Sequence, residues 1–261
     1  MKIIVCIKQV PDTTEVKLDP KTGRLIRDGV PSIINPDDKN ALEEALRIKD
    51  ENPDTTVTVV SMGPPQADVA MREALAMGAD EAILISGREF GGSDTWATSY
   101  IIATAIKKIH DYDIIFCGRQ AIDGDTAQVG PQIAEQLNIP QITYVQKLDI
   151  EGDKVIVQRQ LEDGYTVVEA KMPVLLTAIK ELNTPRYMTP KGIFEAYNKT
   201  VQVWGFNDVP VDAEKIGLKG SPTNVNRTFS PEAKGKGIML EGADKETVKT
   251  LIAKLDEKHL L

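Results

Sequence analysis

The chain has 261 residues, 41% of them apolar, and a formal net charge of −8. That size and apolar share allow one large core, or a domain with an appendage. The acidic balance excludes nucleic acid as the main partner, because neutralising phosphates takes clustered Lys and Arg, and Lys234-Gly-Lys236 is too short to supply them.

In chain order, Ile3–Ile7 reads as a strand rather than as a signal peptide. No apolar run approaches the roughly 18 residues of a membrane span. A cytoplasmic protein is expected. Pro11 to Ile34 is a long excursion in which Val16 and Leu18 alternate with polar residues, Lys21-Thr-Gly23 looks like a turn and Leu25-Ile26 resume; a small hairpin is expected there. Loops this long are often functional. Helices are predicted over Asn40–Lys49, Gln66–Met77, Thr95–Ile109 and Gln128–Leu137, alternating with strands Thr56–Ser61, Ala82–Ile85 and Ile114–Cys117. Leu42, Ala45, Leu46 and Lys49, like Ile101, Ile102, Ala105 and Ile109, follow the i, i+3, i+4 pattern. Gly78 closes the second helix. Such alternation implies a parallel sheet with helices on both faces.

After Leu148 the pattern changes. Asp153–Gln160 and Tyr165–Lys171 flank the turn Leu161-Glu-Asp-Gly164, and Val174–Ala178 reads as one more strand, so the sheet becomes mixed. Beyond Lys180 periodicity fades. Pro185, Pro190, Pro210, Pro222 and Pro231 punctuate a segment expected to hold little regular structure before a terminal helix, Lys245–Lys258. A stretch with so weak a core signal is expected to wrap over another surface.

Candidate chemistry gathers at strand ends. Gly118-Arg-Gln-Ala-Ile-Asp-Gly-Asp-Thr-Ala-Gln-Val-Gly-Pro131 follows a buried strand and feeds a helix N-terminus, where open α/β sheets bind ligands. Free backbone amides beside small Gly118, Gly124, Thr126 and Ala127, with the helix dipole, make a phosphate site. The stretch is neither a P-loop nor GxGxxG, and on spacing a plain strand–helix connection fits equally. Asn35-Pro36-Asp37-Asp38 has a structural explanation: cap residue, proline at the first helical position and acids in the first turn. Val10-Pro11-Asp12-Thr13, Met62-Gly63-Pro64-Pro65 and Phe90-Gly-Gly-Ser-Asp-Thr-Trp96 close the first three strands. Four successive strands thus end in Gly, Pro, Asp, Asn or Thr loops that share one rim, which favours a nucleotide pocket more than any single loop does.

Elsewhere the bland readings prevail. Cys6 and Cys117 sit in apolar strands and read as small core residues. His110 and His259 have no ligand spacing for zinc and no nucleophile beside them. Leu182, in Leu182-Asn-Thr-Pro-Arg-Tyr187, is either a packed loop leucine or an apolar anchor for a partner's pocket.

From end to end the sequence resembles the β subunit of an electron-transfer flavoprotein. The matching pieces are Val10–Asp12, Asn35-Pro36 with Ala41-Leu-Glu-Glu-Ala45, Ala74-Leu-Ala-Met-Gly-Ala-Asp80, and Gln120-Ala-Ile-Asp123 with Asp125 and Gln128. Val157-x-Arg159, Glu162-Asp-Gly164, Pro173, Thr177-Ala178 and Leu182-Asn-x-Pro-Arg-Tyr187 complete them. Thr166 departs from a position where the family often has an acid or amide.

The resemblance implies a doubly wound, mainly parallel α/β sheet of the adenine-nucleotide-α-hydrolase type over 1–180, with an added antiparallel hairpin. Residues 181–261 would form a recognition loop and an extended arm embracing an α subunit. It implies a nucleotide against Cys6, Asn35, Pro36, Asp37, Asp38, Met62, Gly118, Arg119, Gln120, Ala121, Ile122, Asp123, Gly124, Asp125, Thr126, Ala127, Gln128 and Val129, and makes Leu182 the residue that docks an acyl-CoA dehydrogenase or reductase. In many members the nucleotide is AMP. In the flavin-bifurcating branch, which the loops resemble most, it is a second FAD that takes electrons from NADH and splits them between the dehydrogenase and ferredoxin or flavodoxin. Phe90–Thr95 is expected to help seat NADH. A stress-type nucleotide-binding protein of the same sheet class fits less well, because of the long C-terminal segment.

Overall fold

The computed structural model describes residues 1–12, 31–226, 235 and 237–261. The hairpin expected around Val16 to Ile26 lies outside the described residues. Two compact units are present, Met1–Asn224 and Val225–Leu261, so the first unit runs well past the boundary expected at 180.

Nine strands of the first unit form one sheet. They are β1 Lys2–Cys6, β4 Thr56–Met62, β5 Glu81–Ile85, β6 Ile114–Gly118, β7 Gln141–Glu151, β8 Lys154–Gln160, β9 Tyr165–Lys171, β10 Val174–Ala178 and β11 Val201–Trp204. Two further strands, β2 Gln9–Pro11 and β3 Ser32–Ile34, pair antiparallel in a separate ribbon that joins the ends of the long excursion. The main sheet has the order β11-β5-β4-β1-β6-β10-β7-β8-β9. From β11 to β7 all neighbours are parallel, and β8 and β9 continue antiparallel. β10 and the strands of the parallel centre are almost wholly buried, as continuous apolar runs covered on both faces must be.

Helices α1 Pro36–Glu51, α2 Asp68–Met77 and α5 Pro190–Asn198 supply the cover of one face, where Leu42, Leu46 and Met71 meet Val5, Val59 and Phe116. Helices α3 Thr95–Ile109 and α4 Val129–Leu137 cover the other, setting Ile101, Ile106 and Ile133 against Ile4, Ile85 and Ile115. Chain order and sheet order part company at β1: β4 lies on one side of it and β6 on the other. At such a switch the strand ends and their loops diverge and leave a crevice.

The alternating first half and the late hairpin match the sequence expectation to within a few residues. Four elements differ from it: β7, α5, β11 and the short helix Gly217–Gly220. β7 was not foreseen. Between Lys180 and Asn224 the proline-punctuated stretch holds regular elements: Thr189 caps α5 by accepting from Gly192 N–H, with Pro190 in its first turn. Val201–Trp204 then joins the main sheet beside β5, and a short helix α6 occupies Gly217–Gly220. Proline opens a helix here instead of breaking one.

In the second unit, α7 Lys245–Glu257 is capped by Asp244, which accepts from Thr247 N–H. Its Val248, Leu251 and Ile252 are about half exposed at i, i+3, i+4 spacing.

Candidate functional site

At the carboxyl ends of β1, β4, β5 and β6 lies a cleft of about 1090 Å³. Three of the expected strand-end loops supply its walls; Val10–Asp12 does not line it, and Ile7, Lys8 and Gln9 stand there instead. Cys6, Asp38, Met62, Gly118, Arg119, Gln120, Ala121, Gly124, Asp125, Thr126, Ala127, Gln128 and Val129 all line it. Asn35, Pro36, Asp37, Ile122 and Asp123 do not: they stand behind or beside the wall.

Asn35 explains how the wall is held. It occupies the cap position of α1 yet makes no side-chain cap bond. Its amide instead donates to Gln120 O at 2.8 Å, and its Oδ1 accepts from Ile122 N–H at 3.0 Å. The residue is fully buried. Its chemistry therefore goes to fixing the 118–128 loop, and the helix-cap reading of this side chain is corrected.

Asp38 does similar work one turn on. Its two carboxylate oxygens accept from Lys8 N–H at 2.8 Å and Gly118 N–H at 2.9 Å, which ties the end of β1 to the end of β6. The fit leaves no room for a side chain at 118. A Cβ there would collide with Asp38 Oδ1 and stand 2.6 Å from the Asp38 backbone nitrogen. Asp37 lies 3.4 Å from Arg119, and Lys8 pairs with Asp123 at 2.6 Å. Lys8 was not anticipated; its place just after the first strand was the only signal.

Burial raises the Asp38 carboxyl from 3.8 to about 7, outweighing the bonds from Asn35, Lys8 and Gly118 that favour the anion, with Asp37 adding repulsion. Between these two values the folded chain holds a proton that the unfolded chain has released. Stability should therefore fall as pH rises from about 4 to about 7. Urea unfolding across that range should show this slope in the wild type and a shallower one in Asp38→Ala; equal slopes would contradict the assignment.

The loop beyond Gly118 is shaped for an anion. Asp125 and Ala127 have φ of 48° and 51°, left-handed values that cost a residue with a Cβ about 1–3 kcal/mol where the surroundings impose them. Such alternation turns successive N–H groups to one side. Gln128 then starts α4 without a side-chain cap, since its Oε1 accepts from Thr95 Oγ at 3.0 Å. The first amides of α4 and its dipole are thus left for a ligand. α3 contrasts with it: Asp94 caps that helix through Ala97 N–H and also accepts from Thr223 N–H. A phosphate suits α4 and is repelled by the carboxylate at α3.

The floor is apolar. Cys6 and Cys117, on adjacent strands, are buried free thiols, and the hydrogen bond with Cys6, then burial, pushes the Cys117 thiol well up. A thiol so held is poorly nucleophilic. Among the described residues no group of three His, Cys, Asp or Glu is arranged to hold a metal, and no helix is long and apolar enough to cross a membrane. Uncapped amides, a floor without charge and a roomy rim fit an adenine dinucleotide or nucleotide.

Leu182 does not line this cleft. It is 8% exposed and packs in the core on the α1 face. The following loop is pinned to α1: Asn183 donates to Asn40 O and Glu44, and Arg186 donates three bonds to Glu43, one from its backbone N–H and two from its guanidinium, Glu43 itself being 5% exposed. The large apolar side chains this loop offers outward are Tyr187, 95% exposed, and Met188.

The electron transfer flavoprotein domain family matches residues 22–209. The chain is 62% identical over its whole length, and the whole of the relative, to an electron transfer flavoprotein subunit beta of Thermoanaerobacterium thermosaccharolyticum. It is 58% identical, again with both chains fully covered, to the caffeyl-CoA reductase–Etf complex subunit CarD of Acetobacterium woodii. The acryloyl-CoA reductase electron transfer subunit gamma of Anaerotignum propionicum is 53% identical with full coverage of both chains.

Proposed function

The chain belongs to the electron-transfer flavoprotein family as a β subunit, and from that premise we propose that its cleft holds FAD and that, paired with an α subunit, it carries electrons from NADH to an acyl-CoA dehydrogenase or reductase and, by bifurcation, to ferredoxin or flavodoxin. The observation that carries this reading is the cleft's size and chemistry together. At about 1090 Å³ it lies just above the roughly 300–1,000 Å³ of small-molecule sites, large enough for a dinucleotide. Relatives named as subunits of caffeyl-CoA and acryloyl-CoA reductase complexes support the same direction.

Bound FAD supplies hydride acceptance and one-electron transfer. This chain's part is to hold and orient it. Amides of Gly124 to Val129 and the N-terminus of α4 would take the pyrophosphate. Residues near Met62 would take the adenosine end, with Asn35 and Asp38 keeping the wall in register. Phe90–Thr95, the wall facing α4, is proposed to seat NADH. For the partner dehydrogenase, Tyr187 and Met188 are proposed in place of Leu182 as the exposed apolar groups of the loop after β10. The half-exposed stripe of α7 is suited to cover by the α subunit.

Gly124 gives a clean test. No atom lies within 4 Å of where its Cβ would stand, and its φ is not left-handed, so Gly124→Val adds bulk to the cleft without straining the fold. That variant, or Thr126→Asp with a charge against the phosphates, should lose one of two FADs and NADH-dependent reduction while the α-subunit flavin stays. Full flavin content and NADH reduction in both variants would overturn the assignment.

A further inference from the structure

Ser61 is the next-to-last residue of β4 and is 1% exposed. Its Oγ has no hydrogen-bond partner, although Ser61 lines the cleft. A buried hydroxyl is normally satisfied, and this one borders the space where a ligand would lie. Ile7 N–H donates to Val60 O and Gly63 N–H to Ile85 O, so backbone bonds fix both sides of Ser61 and leave the side chain as the free group. Around these strand ends Ile7, Met62, Pro64, Ala67 and Ile85 give apolar wall, with Lys8, Gln9, Ser86 and Arg88 also lining the cleft. The amide-rich stretch suited to a phosphate is the 124–129 loop, where α4 starts without a side-chain cap. A flat heteroaromatic ring suits apolar walls with one placed polar group.

We propose that Ser61 is the polar handle of a base subsite, its Oγ hydrogen-bonding the heteroaromatic base of the nucleotide at the β1–β4–β5 end of the cleft. The inference rests on the nucleotide reading of the cleft. A hydroxyl both donates and accepts, so it can meet either kind of atom on a base edge, and the ligand supplies the partner the protein leaves out.

The test uses the α–β heterodimer stripped of nucleotide, titrated with AMP and with ribose 5-phosphate, which has the same sugar phosphate and no base. Ser61→Ala should weaken AMP binding roughly five- to tenfold, the net worth of one hydrogen bond, and leave ribose 5-phosphate binding unchanged. The melting temperature without ligand should not fall, because no intramolecular bond is lost. Unchanged AMP affinity in Ser61→Ala would mean that the hydroxyl serves only internal water and would overturn the proposal. So would an equal loss for both probes, which marks a general disturbance of the cleft. If the wild-type heterodimer binds neither probe, the nucleotide reading itself fails, and the base subsite with it.

Discussion

Gly118→Ala should be the most damaging single change in the cleft, costing on the order of 3 kcal/mol of stability and most of the bound nucleotide. Its Cβ would have to occupy space held by Asp38 and by the backbone joining Asp37 to it. Backbone cannot rotate aside as a side-chain tip can, so either the start of α1 or the end of β6 must move. Both amides that Asp38 holds, from Lys8 and Gly118, would shift with it. Gly124→Ala is the control: nothing lies within 4 Å of its added Cβ, and a change within about 0.5 kcal/mol is expected. Denaturant midpoints of the two variants, with the flavin content of Gly118→Ala, check this. Equal behaviour would mean that the close approach at 118 carries no weight.

Leu182→Ala should cost about 2–4 kcal/mol, the range for truncating a buried leucine. At 8% exposure, packed with the core, Leu182 has little surface left to give a partner. Tyr187→Ala, at 95% exposure, should leave stability nearly unchanged and weaken electron delivery to the dehydrogenase. Melting curves and dehydrogenase reduction assays separate the two effects. If Leu182→Ala melts like the wild type and loses only docking, the anchor reading of that leucine returns.

The strands and helices of the first half were legible because each carries one strong local period. Buried parallel strands are continuous apolar runs, and α1 and α3 show one-sided spacing. The rim was legible for the same reason, since Gly118–Pro131 sits between an apolar strand and a periodic helix. What escaped depends on distant residues. Asn35 looks like a helix cap from its neighbours, and the loop it holds at Gln120 is 85 residues away. Leu182 looks like an exposed loop residue until α1 and the sheet close over it. β7 hides its pattern through the left-handed Tyr144, φ 57°, and register shifts on both sides, which break the alternation of a strand. β11 is only four residues long, too short for a period to stand out. Ser61 gave no signal at all, because a serine in a strand is ordinary until its hydroxyl is found without a partner.

The central claim is that the cleft holds a flavin which NADH reduces. Its most direct measurement is the nucleotide content of the chain purified with its α subunit, released by denaturation and quantified, followed by NADH titration of the intact heterodimer. Two FADs per heterodimer and bleaching of flavin absorbance by NADH are predicted. One FAD with one AMP, and no reduction by NADH, would contradict the claim.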